Sequence, residues 1–217
     1  MSVEIKWIGH ASFRIALLPG PGNAGTGCVL YIDPWKLPDA PHDADVVFIS
    51  HSHFDHFSPP DVQKVSKPDT AVVAPGDVIG KLHAASAVKP DDRLTFKDVT
   101  IEAVAAYNVN KAFHPRGNDW CGGVFTLGGQ RIYYAGDTDL IPEMAKLADI
   151  DVALLPIGGT YTLNAAEAAR ACKSIGCKAV IPYHWGDIIG TADDADRFAK
   201  AAPCKVHLLR PGQAVSV

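Results

Sequence analysis

The chain carries three histidines and one aspartate within six residues, at His51, His53, Asp55 and His56, and this segment constrains the fold more than any other. It directly follows a short apolar run at residues 46–49 that is typical of a buried strand. Because residues two apart in an extended segment point the same way, His51 and His53 can bind one metal ion. Asp55 and His56 come where the chain must bend toward a helix, and they can face a second ion. Imidazole nitrogens and carboxylate oxygens suit zinc-like cations. An ordinary polar surface loop does not explain four ligand-type residues at this density, so the segment predicts a metal site at a strand end.

Three further ligand candidates lie at strand ends or in a long loop. His114 lies in the irregular segment 108–121, Asp137 follows a predicted strand across a glycine, and His184 comes directly after another predicted strand. Irregular loops of that length in compact domains are usually functional. Since the ends of several strands can meet at one edge of a sandwich, we expect these residues to join the His51–His56 segment there.

The chain has nine histidines, and five of them are accounted for as candidate ligands. We expect His42, His83 and His207 to be surface or packing residues. For His10 two interpretations stay open: it reaches the edge of the site, or it is a hydrogen-bonded structural histidine.

Strand and helix patterns alternate along the chain and predict an α/β sandwich within one domain, residues 1–217. Strands are predicted at residues 3–8, 12–18, 28–32, 45–50, 70–74, 93–96, 99–106, 123–127, 131–135, 152–156, 178–182 and 205–209. Helices are predicted at residues 59–65, 77–87, 141–148, 165–175 and 193–201. Asn164 is expected to cap the fourth of these helices together with Glu167. A cluster of proline and glycine at 19–25 predicts a loop.

Charge and composition exclude several classes of partner. The 217 residues include 20 lysines and arginines against 24 aspartates and glutamates, a net charge of −4, so a basic nucleic-acid or membrane surface is not expected. No apolar stretch approaches the roughly 20 residues that span a bilayer, and the N-terminus lacks a signal-peptide pattern. Five cysteines without a C-x-x-C pair argue against a disulfide framework and favour small buried thiols in a reducing cytoplasm. We therefore expect a cytoplasmic protein with a small-molecule substrate, no nucleic-acid partner and no stable membrane insertion; the sequence leaves a homo-oligomer open.

These motifs together resemble those of the metallo-β-lactamase superfamily. The family's H-x-H-x-D-H motif is similar to the His51–His56 segment, and its later ligands match His114, Asp137 and His184. The resemblance implies a four-layer αββα sandwich with two divalent metal ions at one edge. It implies that His51, His53 and His114 hold the first ion, that Asp55, His56 and His184 hold the second, and that Asp137 bridges them.

Two branches of the superfamily share shorter motifs with the chain. The L-ascorbate-6-phosphate lactonase branch is similar at the start, and the N-acylphosphatidylethanolamine-hydrolysing phospholipase D branch is similar in the second half. The motifs shared with the lactonase branch are Trp7-x-Gly9-His10-Ala11-Ser12-Phe13 and Ile32-Asp33-Pro34-Trp35. Those shared with the phospholipase D branch are Trp120-Cys121-Gly122 and His184-Trp185-Gly186.

The implied activity is hydrolysis of an ester, lactone or phosphodiester by water that two metals activate. Asp55 and Asp137 are the candidate catalytic residues, Asp55 by orienting the nucleophile. Zinc is the default ion, with manganese, iron and nickel as alternatives. The alternative function is an iron-containing redox or metal-sensing protein on the same scaffold, although the chain has no room for an added flavin domain. A noncatalytic binding module fits a complete ligand set least well.

Several residues beside the motifs also have predicted roles. We expect Asp33 to support a ligand histidine rather than only to form a turn. Asn108, Arg116 and Trp120 are candidates for substrate contact, although for each one singly an ordinary ordered loop is the simpler explanation. Thr160, Tyr161 and Thr162 either line the pocket or lead into the cap at Asn164, where related sequences often carry an acid. Cys121 is expected to be a buried thiol rather than a nucleophile.

Overall fold

The computed structural model describes residues 2–20, 27–82 and 85–217, which form fourteen strands in two seven-stranded sheets. The strands are β1 Ser2–Gly9, β2 Ser12–Leu18, β3 Val29–Ile32, β4 Ala44–Phe48, β5 Ser66–Ala74, β6 Ala85–Ala87, β7 Arg93–Phe96, β8 Val99–Ala105, β9 Cys121–Leu127, β10 Gln130–Tyr134, β11 Val152–Pro156, β12 Ala179–Tyr183, β13 Lys205–Val206 and β14 Ala214–Ser216. The α-helices are α1 Pro59–Val65, α2 Gly76–Ile79, α3 Ala165–Ile175 and α4 Ala192–Ala201. Single 3₁₀ turns span Arg116–Asn118 and Pro142–Lys146.

Both sheets are mixed. The first has the order β14-β1-β2-β3-β4-β5-β6, antiparallel as far as β3 and parallel from β3 to β6. The second has the order β13-β12-β11-β10-β9-β8-β7, parallel from β13 to β10 and antiparallel beyond. Each sheet therefore has neighbouring parallel strands whose carboxyl ends open on a common edge, where loops can place functional side chains.

Three apolar layers hold the structure together. The largest lies between the sheets and joins residues such as Trp7, Phe13 and Phe48 of the first sheet to Phe125 and Tyr134 of the second. A second layer packs α3 and α4 against the second sheet, and a third packs α1 against the first. The order helix, sheet, sheet, helix confirms the predicted four-layer αββα sandwich. A single domain over residues 1–217 stays a prediction.

Local sequence explains the helix ends. The Asn164 side chain accepts a hydrogen bond from the Glu167 amide while Glu167 bonds back to the Asn164 amide, which confirms the predicted capping box. Thr191 and Asp194 form the same reciprocal cap on α4. In α1, Ser58 caps a helix with proline in its first turn, and its bounds equal the predicted 59–65.

Two predicted helices are wrong. The helix predicted at 77–87 ends at Ile79, because residues 85–87 pair in parallel with β5 as strand β6. The helix predicted at 141–148 is a short 3₁₀ turn, Pro142–Lys146. The predicted strand 205–209 stops at Val206, and the prediction missed β14, which pairs with β1. The predicted loop at 19–25 lies mostly outside the described residues, and so does His83.

Candidate metal centre

Three imidazoles form one compact group at the edge of the sandwich. His51 and His53 follow β4, and His114 reaches them from the loop between β8 and β9. One ring nitrogen from each lies within 4.8 Å of the others, and His51 Nε2 lies 3.1 Å from His53 Nδ1. The structure thus brings together the three residues that were predicted to share one ion.

A second group combines Asp55 and His56 with His184, which follows β12. Asp55 Oδ2 lies 3.8 Å from His56 Nε2 and 3.7 Å from His184 Nε2. His10 joins this group because its Nε2 lies 2.9 Å from Asp55 Oδ2 and its ring centroid lies 4.0 Å from that of His184. Of the two interpretations left open for His10, the structure favours the one at the site edge.

Asp137 lies between the two groups. Its Oδ1 lies 3.3 Å from His56 Nε2, and its Oδ2 lies 3.2 Å from His184 Nε2 and 3.4 Å from His114 Nε2. The residue follows β10 across Gly136, whose φ of 67° gives the sharp turn that raises the carboxylate over the strand end. A carboxylate that faces both groups has the position of a bridging ligand.

The backbone at this edge is held in a costly conformation. His10, Asp33 and His184 all have positive φ, at 47°, 44° and 61°. In non-glycine residues a positive φ costs free energy, and it persists only where surrounding contacts stabilise it. One such contact crosses the sheets, since the His184 amide donates to the His10 carbonyl at 3.0 Å.

Several polar atoms of the cluster fit a bound cation. The Nε2 atoms of His56, His114 and His184, and Asp137 Oδ1, are buried and have no hydrogen-bond partner among the described residues. Leaving such atoms unpaired costs about 1–3 kcal/mol each, so the cluster favours a bound cation that would supply the partner. Neutral imidazole nitrogens and carboxylate oxygens that converge on one point are a ligand set for divalent first-row cations.

Burial keeps His51 and His53 in the form that binds metal. It holds the pKa of His51 well below its usual value, and the neighbouring His56 reinforces this shift. Burial and His114 likewise lower the pKa of His53. Because the neutral imidazole is the form that ligates metal, these side chains need lose no proton at neutral pH.

The carboxylates have the opposite effect on the second group. Burial alone would lower the pKa values of His56 and His184, but Asp137 raises the pKa of His56 well above its usual value and that of His184 to about 9. Burial opposes ionisation of Asp137, but the positive charges of His184 and His56 hold its pKa well below the usual range. The centre of the cluster therefore favours positive charge, which protons supply in the metal-free protein and divalent cations would supply when bound.

Two polar residues fix the orientation of ligand candidates from behind. Asp33 Oδ2 accepts from His56 Nδ1 at 2.7 Å and from the Tyr134 hydroxyl at 2.7 Å, while Oδ1 accepts from the Ser50 amide at 2.7 Å. Asn108 Oδ1 lies 3.1 Å from His114 Nδ1 and leaves Nε2 to face the cluster. Asp33 thus supports a ligand candidate as predicted, and Asn108 holds the His114 ring in the same way. Contact of Asn108 with a substrate stays a prediction. Neither Ser50 nor Tyr134 was predicted to support the site.

Trp120 and Arg116, both in the loop between β8 and β9, have different contacts. The Trp120 ring packs within 5.0 Å of His51 and 4.9 Å of His53, and its Nε1 donates to Asp77. Arg116 is exposed and pairs with Glu143, outside the groups of ligand candidates. Trp120 therefore buttresses the histidines.

A cleft of about 250 Å³ opens onto the cluster. Its mouth carries large apolar side chains, with Phe54, Phe113 and Ile188 exposed at 69%, 47% and 40%. Tyr161 lines the cleft and packs edge-on against Phe113, whereas its neighbour Thr162 is buried. Cys121 is fully buried, which raises the pKa of its thiol and agrees with a structural role.

Comparison with known proteins identifies the class. A family model described as the beta-lactamase superfamily domain matches residues 4–184, so the chain belongs to that superfamily. The metallo-beta-lactamase fold protein of Bacillus subtilis superposes with a TM-score of 0.78 at 14% identity over 100% of both chains, which shows the shared fold.

Closer relatives define the family within that class. A UPF0173 metal-dependent hydrolase of Symbiobacterium thermophilum is 33% identical over 97% of this chain and 98% of its own length. The crystal structure of a candidate metal-dependent hydrolase from Parabacteroides distasonis has a TM-score of 0.81 and 31% identity, covering 97% of this chain and 94% of the other. The chain is a member of the UPF0173 metal-dependent hydrolases. The likeness to the lactonase and phospholipase D branches stays a prediction.

Among the described residues, no helix has both the length and the apolar character needed to cross a bilayer.

Proposed function

We propose that this protein hydrolyses a small ester, lactone or phosphodiester with two divalent metal ions, zinc by default. The observation that carries the proposal is the position of Asp137, whose two carboxylate oxygens face ring nitrogens of both ligand groups at 3.2–3.4 Å. In this proposal His51, His53 and His114 hold one ion, Asp55, His56 and His184 hold the other, and Asp137 bridges the pair.

Metal ions bound there lower the pKa of water toward neutrality and stabilise the negative charge that develops on the substrate. The chain's own residues fix the geometry in which this happens. Asp33 and Asn108 hold the rings of His56 and His114 with their Nε2 atoms toward the cluster. Asp55, whose Oδ2 already accepts from His10 Nε2 at 2.9 Å, orients the attacking water through its carboxylate.

The cleft supports a neutral, partly apolar substrate. Among the described residues that line it there is no lysine or arginine to pair with a phosphate, and the aromatic and aliphatic mouth fits an apolar substituent. Esters and lactones are therefore favoured over phosphodiesters. The volume of about 250 Å³ suits a small molecule.

The test begins with metal analysis of the purified protein, followed by turnover of p-nitrophenyl esters, lactones and bis-p-nitrophenyl phosphate. His53→Ala should reduce kcat/KM at least about 100-fold, because loss of a group that merely supports a ligand already costs 10–100-fold. His42→Asn is the matched control: His42 is exposed, lies outside both groups and has a positive φ that asparagine tolerates.

Three results would contradict the proposal. The first is full activity in metal-stripped protein, and the second is equal turnover in His53→Ala and wild type. The third is a visible iron spectrum with no hydrolysis of any compound in the panel, which would instead support the redox or sensing alternative.

A further inference from the structure

Three cysteines meet at the end of β12 that lies away from the hydrolytic cluster. Cys172 is in the last turn of α3, Cys177 precedes β12, and Cys204 precedes β13. One sulfur atom from each lies within 4.8 Å of the others, and Cys177 Sγ lies 3.7 Å from Cys204 Sγ. The five residues of β12 separate this thiol group from His184, so the two sites are about 20 Å apart at ~3.3 Å per residue.

The spacing of the sulfurs fits a shared metal ion. At a metal–sulfur distance of about 2.3 Å, sulfur atoms lie about 3.8 Å apart in a tetrahedral site and about 4.0 Å apart in a trigonal one. A disulfide requires about 2.05 Å, well below the observed separation. The thiols thus already stand near the positions that they would take around one cation.

Access to the group fits the same chemistry. Cys172 and Cys177 are buried, whereas Cys204 is partly exposed and gives an ion a route from solvent.

We propose that Cys172, Cys177 and Cys204 form a second metal site that binds one soft monovalent cation, cuprous copper, through three thiolates. Soft sulfur ligands select copper(I) and zinc, but structural zinc takes four ligands. Among the described residues the group offers three, with no further histidine, cysteine or carboxylate in it. On binding, the three thiols release their protons to solvent, three copper–sulfur bonds form, and no electron is transferred.

The experiment uses the full chain, reduced and preloaded with zinc so that the histidine cluster is filled. Copper(I) is added without oxygen in competition with bathocuproine disulfonate, and the protein is desalted and assayed for copper and for ultraviolet thiolate-to-copper absorption. The wild type should retain one copper ion per chain beyond its zinc. Cys204→Ser should lose this copper and its absorption, while its zinc-dependent hydrolysis stays unchanged.

Cys28→Ser is the matched control, since Cys28 is a buried thiol outside the group, and it should retain copper as the wild type does. Cys172→Ala provides a second test from within the helix. Equal copper retention in wild type, Cys204→Ser and Cys172→Ala would overturn the proposal, and so would copper bound without thiolate absorption. The proposal would also be overturned if excess zinc displaced the copper. It would be overturned as well if mass spectrometry showed that a Cys177–Cys204 disulfide persists after the protein has been treated with reductant.

Discussion

His56 Nδ1 donates a 2.7 Å hydrogen bond to Asp33 Oδ2, and both side chains are completely buried. The same carboxylate accepts from Ser50 and Tyr134, so it meets donors from both sheets. Its negative charge fixes the His56 ring with Nε2 toward Asp137, as second carboxylates do behind metal-ligating histidines.

Replacing this carboxylate should weaken metal binding by the group that contains His56. In Asp33→Asn the amide nitrogen cannot accept, so at least one buried donor loses its partner at a cost of about 1–3 kcal/mol. We expect zinc affinity, measured by competition with a chromophoric chelator, to fall about 10–100-fold. Asp43→Asn, which removes a half-buried carboxylate that binds Arg14 and Tyr31, should keep wild-type affinity. Equal affinity in Asp33→Asn and wild type would show that the hydrogen bond does not orient the ligand.

The metal-free protein should lose stability as the pH rises. Burial opposes protonation of His184, but Asp137 and Asp55 raise its folded pKa to about 9, above the unfolded value of 6.5. The stabilisation from its proton is complete below pH 6.5 and disappears as the pH passes 9, a loss on the order of 3 kcal/mol. Zinc replaces that proton, so alkaline conditions favour zinc binding.

Thermal unfolding from pH 6 to 9.5, with zinc and with EDTA, measures this effect. The difference in Tm between zinc-loaded and metal-free protein should widen between pH 6.5 and 9. A gap that narrows over this range would contradict the assignment of the proton to the cluster.

Gly158 should be intolerant of any side chain. A Cβ added there would lie 2.6 Å from the His184 carbonyl oxygen and 3.2 Å from His184 Nδ1. Gly158→Ala must therefore displace His184, and we expect a loss of zinc and of at least about tenfold in kcat/KM, with overpacking that costs about 1–3 kcal/mol. In the control Gly76→Ala, the added methyl group meets no described heavy atom within 4 Å. Wild-type activity in Gly158→Ala would show that His184 need not hold its position.

Phe54 at the mouth of the cleft should affect substrate binding alone. It is 69% exposed, so Phe54→Ala removes little buried area and should leave Tm nearly unchanged. For esters with an apolar acyl chain we expect KM to rise severalfold with little change in kcat, and for acetyl esters we expect little change in either. Val109→Ala, another exposed apolar residue outside the lining of the cleft, should match wild type. An equal effect on both esters would rule out apolar recognition by this rim.

The regular parts of the fold were predictable because they depend on local pattern. The bounds predicted for β2, α1, β7 and β11 coincide with those observed. The short edge strands were not predictable in this way: three residues of β14 have no readable period and become a strand only because β1 offers them a partner.

The candidate ligands were also visible in the sequence, because metal chemistry needs rare residue types at strand ends. The residues that hold these ligands in place could not be recognised in the sequence. Tyr134 reaches Asp33 across 101 residues of sequence and from the opposite sheet, and tyrosine in an apolar strand resembles an ordinary core residue. The thiol group escaped detection for the same reason, since Cys177 and Cys204 are 27 residues apart and each alone resembles a small buried hydrophobe.

Both sheets contribute ligand candidates to the metal centre, although in unequal numbers. Four ligand candidates follow β4 in the first sheet, while His114, Asp137 and His184 extend from the second. Because each of the two ligand groups takes residues from both sheets, a metal ion bound by either group would crosslink the sheets, and its binding energy would add directly to the energy with which they pack. Metal affinity therefore reports how firmly the two sheets pack against each other. A substitution in the core between the sheets, far from any ligand, should be detected first as weaker retention of metal.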